Sequence, residues 1–222
     1  MKLHDKKTYD AQRKEMIKTQ LIPRGIKNAE VLTAFQSVQR DFFVLPEFLN
    51  EAYFDGPLPL MLGQTISQPY IVAFMTELLE LPQGKSAKIM EIGTGSGYQS
   101  AILAAMGHCV TSIERLEKLA EFARRNLDNF SYGDKVTIHV ADGTLGWPDN
   151  APYDGILVTA AAPNIPQKLI EQLAEGGKLV IPCGDLYIQQ MFQVTKSHDG
   201  KLEINKNIGC QFVPLIGGNG FH

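Results

Sequence analysis

The sequence predicts an α/β fold. The expected architecture is a Rossmann-like, mostly parallel, doubly wound sheet with antiparallel C-terminal strands and an N-terminal helical extension. Three observations carry this. From residue 87, short and nearly continuously apolar runs alternate with helical patterns, as expected of strands covered on both faces. A glycine-rich turn, Gly93-Thr94-Gly95-Ser96-Gly97, joins the first such run to a helix. Two late strand patterns flank Ser197-His198-Asp199-Gly200, whose Asp-Gly pair is a hairpin signal.

Residues 1–80 carry helical patterns and a Pro/Gly-rich loop but no strand pattern. In 10–22, Met16, Ile17 and Leu21 recur at helical spacing on a charged background. In 28–38, Asn28 is a candidate cap, and Val31, Leu32, Phe35 and Val38 share a face. Residues 53–68 read as one long loop, a length usual for functional or disordered segments. Its Leu58, Leu60, Met61 and Leu62 predict that it packs. Pro69 suits the first turn of a helix over 70–80. Strands are then expected at 87–92, 108–113, 135–140, 154–160 and 177–182. Helices are expected at 96–106, 116–130 and 166–174, the last ended by Gly176-Gly177. The hairpin strands fall at 189–196 and 201–207, and 210–217 follows them. The division expected is 1–80, a helical region packed on the main domain, and 81–222, the Rossmann-like domain.

A chain of 222 residues can bury a sizeable core, and 44% hydrophobic with 20% charged residues is ordinary for a soluble globular protein. The net charge of -3 argues against a nucleic-acid or anionic-membrane surface, which carries a basic excess. No run approaches the length of a membrane span, and the opening MKLHDKKTYD lacks the apolar core of a signal peptide. Cys109, Cys183 and Cys210 are odd in number and form no CxxC pair, which points to a reducing compartment. A cytoplasmic monomer without a metal site is expected.

The glycine turn is the sharpest local signal. Without Cβ atoms the backbone can turn tightly and approach a ligand, although a turn packing strand on helix has the same appearance. The spacing is GxGxG, and Tyr98 stands where a dinucleotide fingerprint has its third glycine. Glu91, two residues before Gly93, is awkward beside a pyrophosphate and suits a ligand with a cationic end. Glu114 closes the next strand and is placed to accept ribose hydroxyls; by itself it reads as a solvated strand end. Asp142 and Gly143 close the third strand, where an Asp accepts from an adenine amino group or simply makes a turn. Together the three strand ends resemble the class I S-adenosylmethionine-dependent methyltransferases, whose cofactor carries an ammonium and a sulfonium.

With GQTISQPYIVA, MEIGTGSGYQSAIL, SIERL, ADG, YDGILVTAAAP, GGKLVIPCG and FVPLIG in that order, the chain resembles the protein-L-isoaspartate O-methyltransferase family of bacterial type over about residues 10–217. GQTISQP and VTAAAP are the specific motifs; the glycine loop is shared more widely. The resemblance implies methyl transfer from S-adenosyl-L-methionine, leaving S-adenosyl-L-homocysteine, to the free α-carboxylate of isoaspartyl residues in damaged proteins and peptides. The ester then closes to a succinimide that reopens to aspartate. It implies Ser67 as the active-site residue and Glu91, Gly93, Thr94, Gly95, Gly97, Glu114, Asp142 and Gly143 around the cofactor. Gln64 and Ile66 would lie in a covering loop, with Ala160, Ala161 and Ala162 as a small-residue wall on the substrate side. A rearranged order of the C-terminal strands is also implied. The ending GNGFH departs from the Gly-Trp ending of many bacterial relatives and offers Phe221.

A carboxylate acceptor is already ionised at neutral pH, so no general base is required. The five histidines, at 4, 108, 139, 198 and 222, are scattered outside these motifs. Ser67 is therefore expected to orient the carboxylate rather than attack, and no His or Asp partner for a triad is identifiable. Read alone, Ser67 is a helix-boundary residue before Pro69. Methylation of another carboxylate or a small molecule, a cofactor-binding module without catalysis, and a nicotinamide enzyme are the alternatives the residues leave.

Overall fold

The structure is a computed structural model and describes residues 6–221. His4, His222 and the portion of the signal-peptide reading that concerns residues 1–5 lie outside the described residues.

The N-terminal region is helical, as expected. Helix α1 (Lys6–Met16) runs into a π-helical turn at Ile17–Leu21. Helix α2 (Ala29–Ser37) starts where predicted, because the Asn28 side chain accepts from the N–H groups of Glu30 and Val31 at 2.9 and 3.2 Å. Val31, Phe35 and Val38 are buried on one face, and Leu32 is half-buried against the same cluster. Residues 53–68 differ from expectation. Two short strands, β1 (Leu58–Pro59) and β2 (Thr65–Ile66), pair antiparallel there. Two-residue strands are too short for an alternating pattern to show in the sequence. Helix α3 (Pro69–Leu78) follows, with Pro69 in its first turn.

The sheet comprises β3 (Lys88–Ile92), β4 (Cys109–Glu114), β5 (Val136–Val140), β6 (Tyr153–Val158), β7 (Leu173–Gly184), β8 (Gln189–Lys196) and β9 (Leu202–Cys210). Their spatial order is β5-β4-β3-β6-β7-β8-β9. The first five are parallel, and the last three form an antiparallel meander in chain order. Helices α4 (Tyr98–Ala105), α5 (Glu117–Leu127) and α6 (Gln167–Glu171) supply the crossovers. β3 pairs with β4 on one side and β6 on the other, so the order reverses there; in open α/β sheets a crevice opens beyond the strand ends at such a point.

The expected helix over 166–174 is shorter, because β7 begins at Leu173 and Gly176-Gly177 lie inside that strand. The pairing of β6 with β7 shifts register between Tyr153 and Gly155, which absorbs the irregularity.

The N-terminal helices share one core with α4 and α5. Met16, Leu21, Phe35 and Phe43 pack in the same cluster as Tyr98, Ile102, Leu119 and Leu127. Arg40 ties the two regions further. It is fully buried, donates from Nε to Ala52 O at 2.8 Å, and holds its guanidinium 4.9 Å from the Tyr98 ring centre.

Candidate functional site

Three clefts meet at the C-terminal ends of β3, β4 and β6. A narrow one is lined by Ile66, Ser67, Gly93, Thr94, Gly95 and Gln99, among others. A second is lined by Gln64, Glu114, Leu116, Gly143, Ala160 and the segment Pro214–Ile216. A third, outer groove is bounded by Pro57, Ile71 and residues 209–213. The clefts are linked: Gly93 borders the first two, and Thr65, Ser67 and Thr159 border the first and third. The narrow cleft has about 40 Å³ of free space and the outer groove about 330 Å³.

The glycine loop is shaped as its sequence predicts. Gly93, Gly95 and Gly97 have φ of 94°, 56° and 87°, in the left-handed region that glycine alone enters without strain. At Gly93 a Cβ would also overlap the Thr159 hydroxyl. That hydroxyl lies 3.0 Å from Ile92 O and 2.6 Å from Gly93 O, so Thr159 braces the start of the loop from the end of β6. Gly143 closes in similarly: a Cβ there would stand 2.5 Å from Ile92 Cγ2.

Glu114 holds the loop from the other side. Its carboxylate accepts from the Gly95 N–H at 3.0 Å and the Leu116 N–H at 3.0 Å. Each oxygen keeps a lone pair, and the residue borders the second cleft, which suits an acceptor for paired hydroxyls.

Glu91 sits deeper than expected. It is fully buried and is not among the residues lining the three clefts. Its Oε2 accepts from the Ser100 hydroxyl and from the Ser112 hydroxyl at 2.7 Å. Thr94 and Ser112 hydroxyls lie 2.6 Å apart, so the network reaches the loop itself. Burial pushes the Glu91 carboxyl up to about 7, against the lowering effect of the two serines and with a small further rise from Glu114. Glu91 therefore supports the loop from beneath.

Asp142 also differs from the simple expectation. Its Oδ1 accepts from the Thr144 N–H and hydroxyl at 2.9 and 2.7 Å, and its Oδ2 from the Gly218 N–H at 2.8 Å. Burial would raise its pKa, but the bonds from Gly218 and Thr144 outweigh that and hold it below the ordinary carboxylate value. Asp142 thus fastens the C-terminal segment, while Gly143 beside it borders the second cleft. Phe221 takes part in the same closure, its N–H donating to Leu215 O at 2.7 Å.

Of the alanine wall, only Ala160 reaches a cleft. Ala161 and Ala162 are fully buried and bridge to Pro214 and Cys183. Their small size lets the C-terminal segment and β7 close on them, so the expectation of a substrate-facing wall fails at these two positions.

Ser67 borders both the narrow cleft and the outer groove. It does not cap α3: Gln68 precedes that helix, and the Gln68 side chain is bonded to Asp55. Among the described residues the Ser67 hydroxyl makes no hydrogen bond. Two cleft residues escaped the sequence reading. Thr159 stands directly before Ala160. Gln99 is buried in the first turn of α4, donates to Thr76 Oγ1 at 2.8 Å and leaves its Oε1 without a partner among the described residues. Its polar character, beside Ser100 on a helix that is mostly apolar, was the only signal for it.

The family described as protein-L-isoaspartate(D-aspartate) O-methyltransferase matches residues 11–220. A protein-L-isoaspartate O-methyltransferase of Trichlorobacter lovleyi is 51% identical over 96% of this chain and 97% of its own. One of Hyperthermus butylicus is 45% identical over 98% and 93%. Among solved structures, a protein-L-isoaspartate O-methyltransferase superposes with a TM-score of 0.80 at 29% identity, covering 93% of this chain and 66% of that one. A Plasmodium falciparum structure named as a beta-aspartate methyltransferase, in complex with S-adenosyl-L-homocysteine, gives 0.79 at 25% identity over 94% and 98%. A glycine loop braced by Glu114 and Thr159, a serine between two clefts, and a family match across nearly the whole length lead to one conclusion: the chain belongs to the protein-L-isoaspartate O-methyltransferase family.

Proposed function

We propose that this protein methylates the free α-carboxylate of L-isoaspartyl residues in damaged proteins and peptides, with Ser67 orienting the carboxylate at the junction of two clefts. The observation that carries this is the sharing of Ser67 and Thr159 between the cleft at the glycine loop and the outer groove. A donor held on one side and an acceptor on the other would meet there.

The residues suit S-adenosylmethionine. Gly93–Gly97 gives close backbone approach, Glu114 offers acceptor capacity for ribose hydroxyls, and the Gln99 Oε1 is a buried acceptor that lacks a donor. The second cleft, bounded by Leu116, Gly143 and Leu215, suits an adenine ring. When bound, the cofactor supplies a methyl group on a positively charged sulfur. The protein need not remove a proton from the acceptor, because a carboxylate is ionised at working pH. Its task is alignment, and orientation of two bound reactants is worth ~7–11 kcal/mol in favourable cases. A carboxylate leaving water for the narrow cleft needs donors, and the free hydroxyl of Ser67 would provide one. Ile66, Val72 and Met75 line the same cleft and limit water there. Gln64 borders the second cleft and Ile66 the first, so the β1–β2 hairpin would cover cofactor and acceptor together. The proposal includes a monomer in a reducing, cytoplasmic setting, supported by Cys109, Cys183 and Cys210 as free thiols.

The test is incubation with methyl-labelled S-adenosylmethionine and a matched pair of peptides, one isoaspartyl and one aspartyl. Label is expected in the isoaspartyl peptide alone, as a base-labile ester. Equal labelling of the two would defeat the assignment.

A further inference from the structure

We propose that the hairpin tip Leu186-Tyr187-Ile188 is a docking arm for apolar residues of the substrate polypeptide beside the isoaspartyl residue. This rests on the methyl transfer proposed above. The tip joins β7 to β8 and leaves the sheet at the C-terminal end of β7, the end at which the clefts of its parallel neighbours open. Its three side chains are 52%, 84% and 72% exposed. Among the described residues no other three consecutive large apolar side chains stand in solvent, and contiguous exposed apolar surface marks interaction sites.

Two features argue for a built surface. First, the tip is preformed. The Asp185 carboxylate accepts from the N–H groups of Tyr187 and Ile188 at 2.7 and 2.6 Å, and the Asp185 N–H donates to Ile188 O at 3.2 Å. A surface already held in shape loses little freedom on binding. Second, its base is bonded to the outer groove. The Gln189 amide donates to Asp185 O at 3.2 Å and Phe212 O at 3.3 Å, and its Oε1 accepts from the Phe212 N–H at 2.7 Å. Phe212 and its neighbours Gln211 and Val213 line the groove that Ser67 borders. The base of the arm is therefore hydrogen-bonded to the wall of the groove. An extended chain with its carboxylate at Ser67 would carry its flanking residues along 211–213 toward the tip.

The experiment compares the wild type with a Leu186→Ser/Tyr187→Ser/Ile188→Ser variant on two isoaspartyl peptides of equal length. One has apolar flanks and the other Gly/Ser flanks. The variant should raise KM for the apolar-flanked peptide about tenfold, equivalent to ~1.4 kcal/mol. Its kcat, its KM for the polar-flanked peptide and its S-adenosylmethionine affinity should match wild type. Equal changes on both peptides, or none on either, would overturn the arm. Tyr187→Ser alone, with its melting temperature measured, should show the same selectivity at smaller size; a melting shift without selectivity also counts against it. A dimer in sedimentation that the variant abolishes, with KM unchanged, would make the tip a self-association surface instead and overturn the proposal. Wild-type failure on both peptides would sink the methyl transfer itself, and the arm with it.

Discussion

Ser67 and Glu91 are the two residues whose chemistry is most open to measurement. The Ser67 hydroxyl makes no hydrogen bond among the described residues, so its removal leaves no protein group unsatisfied. A hydrogen bond to a charged group is worth ~1.5–3 kcal/mol, which sets the expected loss of kcat in Ser67→Ala at roughly 10- to 100-fold. S-adenosylmethionine binding by calorimetry and the melting temperature should stay near wild type; unchanged turnover would remove Ser67 from the chemistry. Glu91 predicts a pH effect. Its folded pKa of about 7 lies above the ordinary value of 4.5 because of burial. The folded state therefore holds the proton more tightly than the unfolded chain. The stability this contributes is fully present below about 4.5 and is lost as pH rises through about 7. Melting temperature should fall across that window in the wild type and fall less in Glu91→Gln. Parallel slopes in the two proteins would show that another group is responsible. Glu91 was legible in the sequence as an acid near the glycine loop. Its position beneath the loop was not, since Ser100 and Ser112 reach it only once α4 and β4 have packed.

At the scale of elements, the glycine loop is the part most tightly specified. In Gly93→Ala two effects add. A side chain at a φ of 94° costs ~1–2 kcal/mol, and the new Cβ overlaps the Thr159 hydroxyl that braces the loop. A lower melting temperature and at least a tenfold weaker S-adenosylmethionine affinity are expected. Near-wild-type affinity by titration would mean that the loop is not the cofactor cradle. The strands and helices from 87 onward were legible because most of the buried strands write a nearly continuous apolar run, as in Ile89-Met90 and Ile156–Val158. The β1–β2 pair was not, because two residues per strand carry no period. The boundary at Leu173 was missed for a different reason: Gly176-Gly177 resembles a helix stop, and only the register shift against β6 makes it part of a strand. The alanine motif misled similarly. Small residues admit close approach of backbone, but the approaching backbone at Ala161 and Ala162 is the protein's own.

Across the whole molecule, the expected division at residue 80 meets a shared interior. Phe35 and Phe43 pack edge-on and tilted against Tyr98, the first residue of α4, and Arg40 lies over the same ring. Two regions that bury one another's side chains should melt together. We expect one cooperative transition by calorimetry, with van't Hoff and calorimetric enthalpies in agreement. Two resolved transitions would show that the two regions fold separately. The sheet order was only partly legible: alternation announces a parallel sheet, but which strand lies beside which is settled by packing. The site inherits that limit. Glu114 and Gly143 could be aligned from strand ends, whereas Thr159 and Gln99 become neighbours only through the pairing of β3 with β6 and the docking of α3 on α4.

The closure of the second cleft by Pro214–Ile216, fastened through Asp142 to Gly218, also bears on how the protein comes into being. The glycine loop and Glu114 leave the ribosome long before those residues are made. A nascent chain can carry most of its sheet and still lack one side of the second cleft. If the second cleft holds the cofactor, as proposed, its last wall is added only when residues 214–216 are in place.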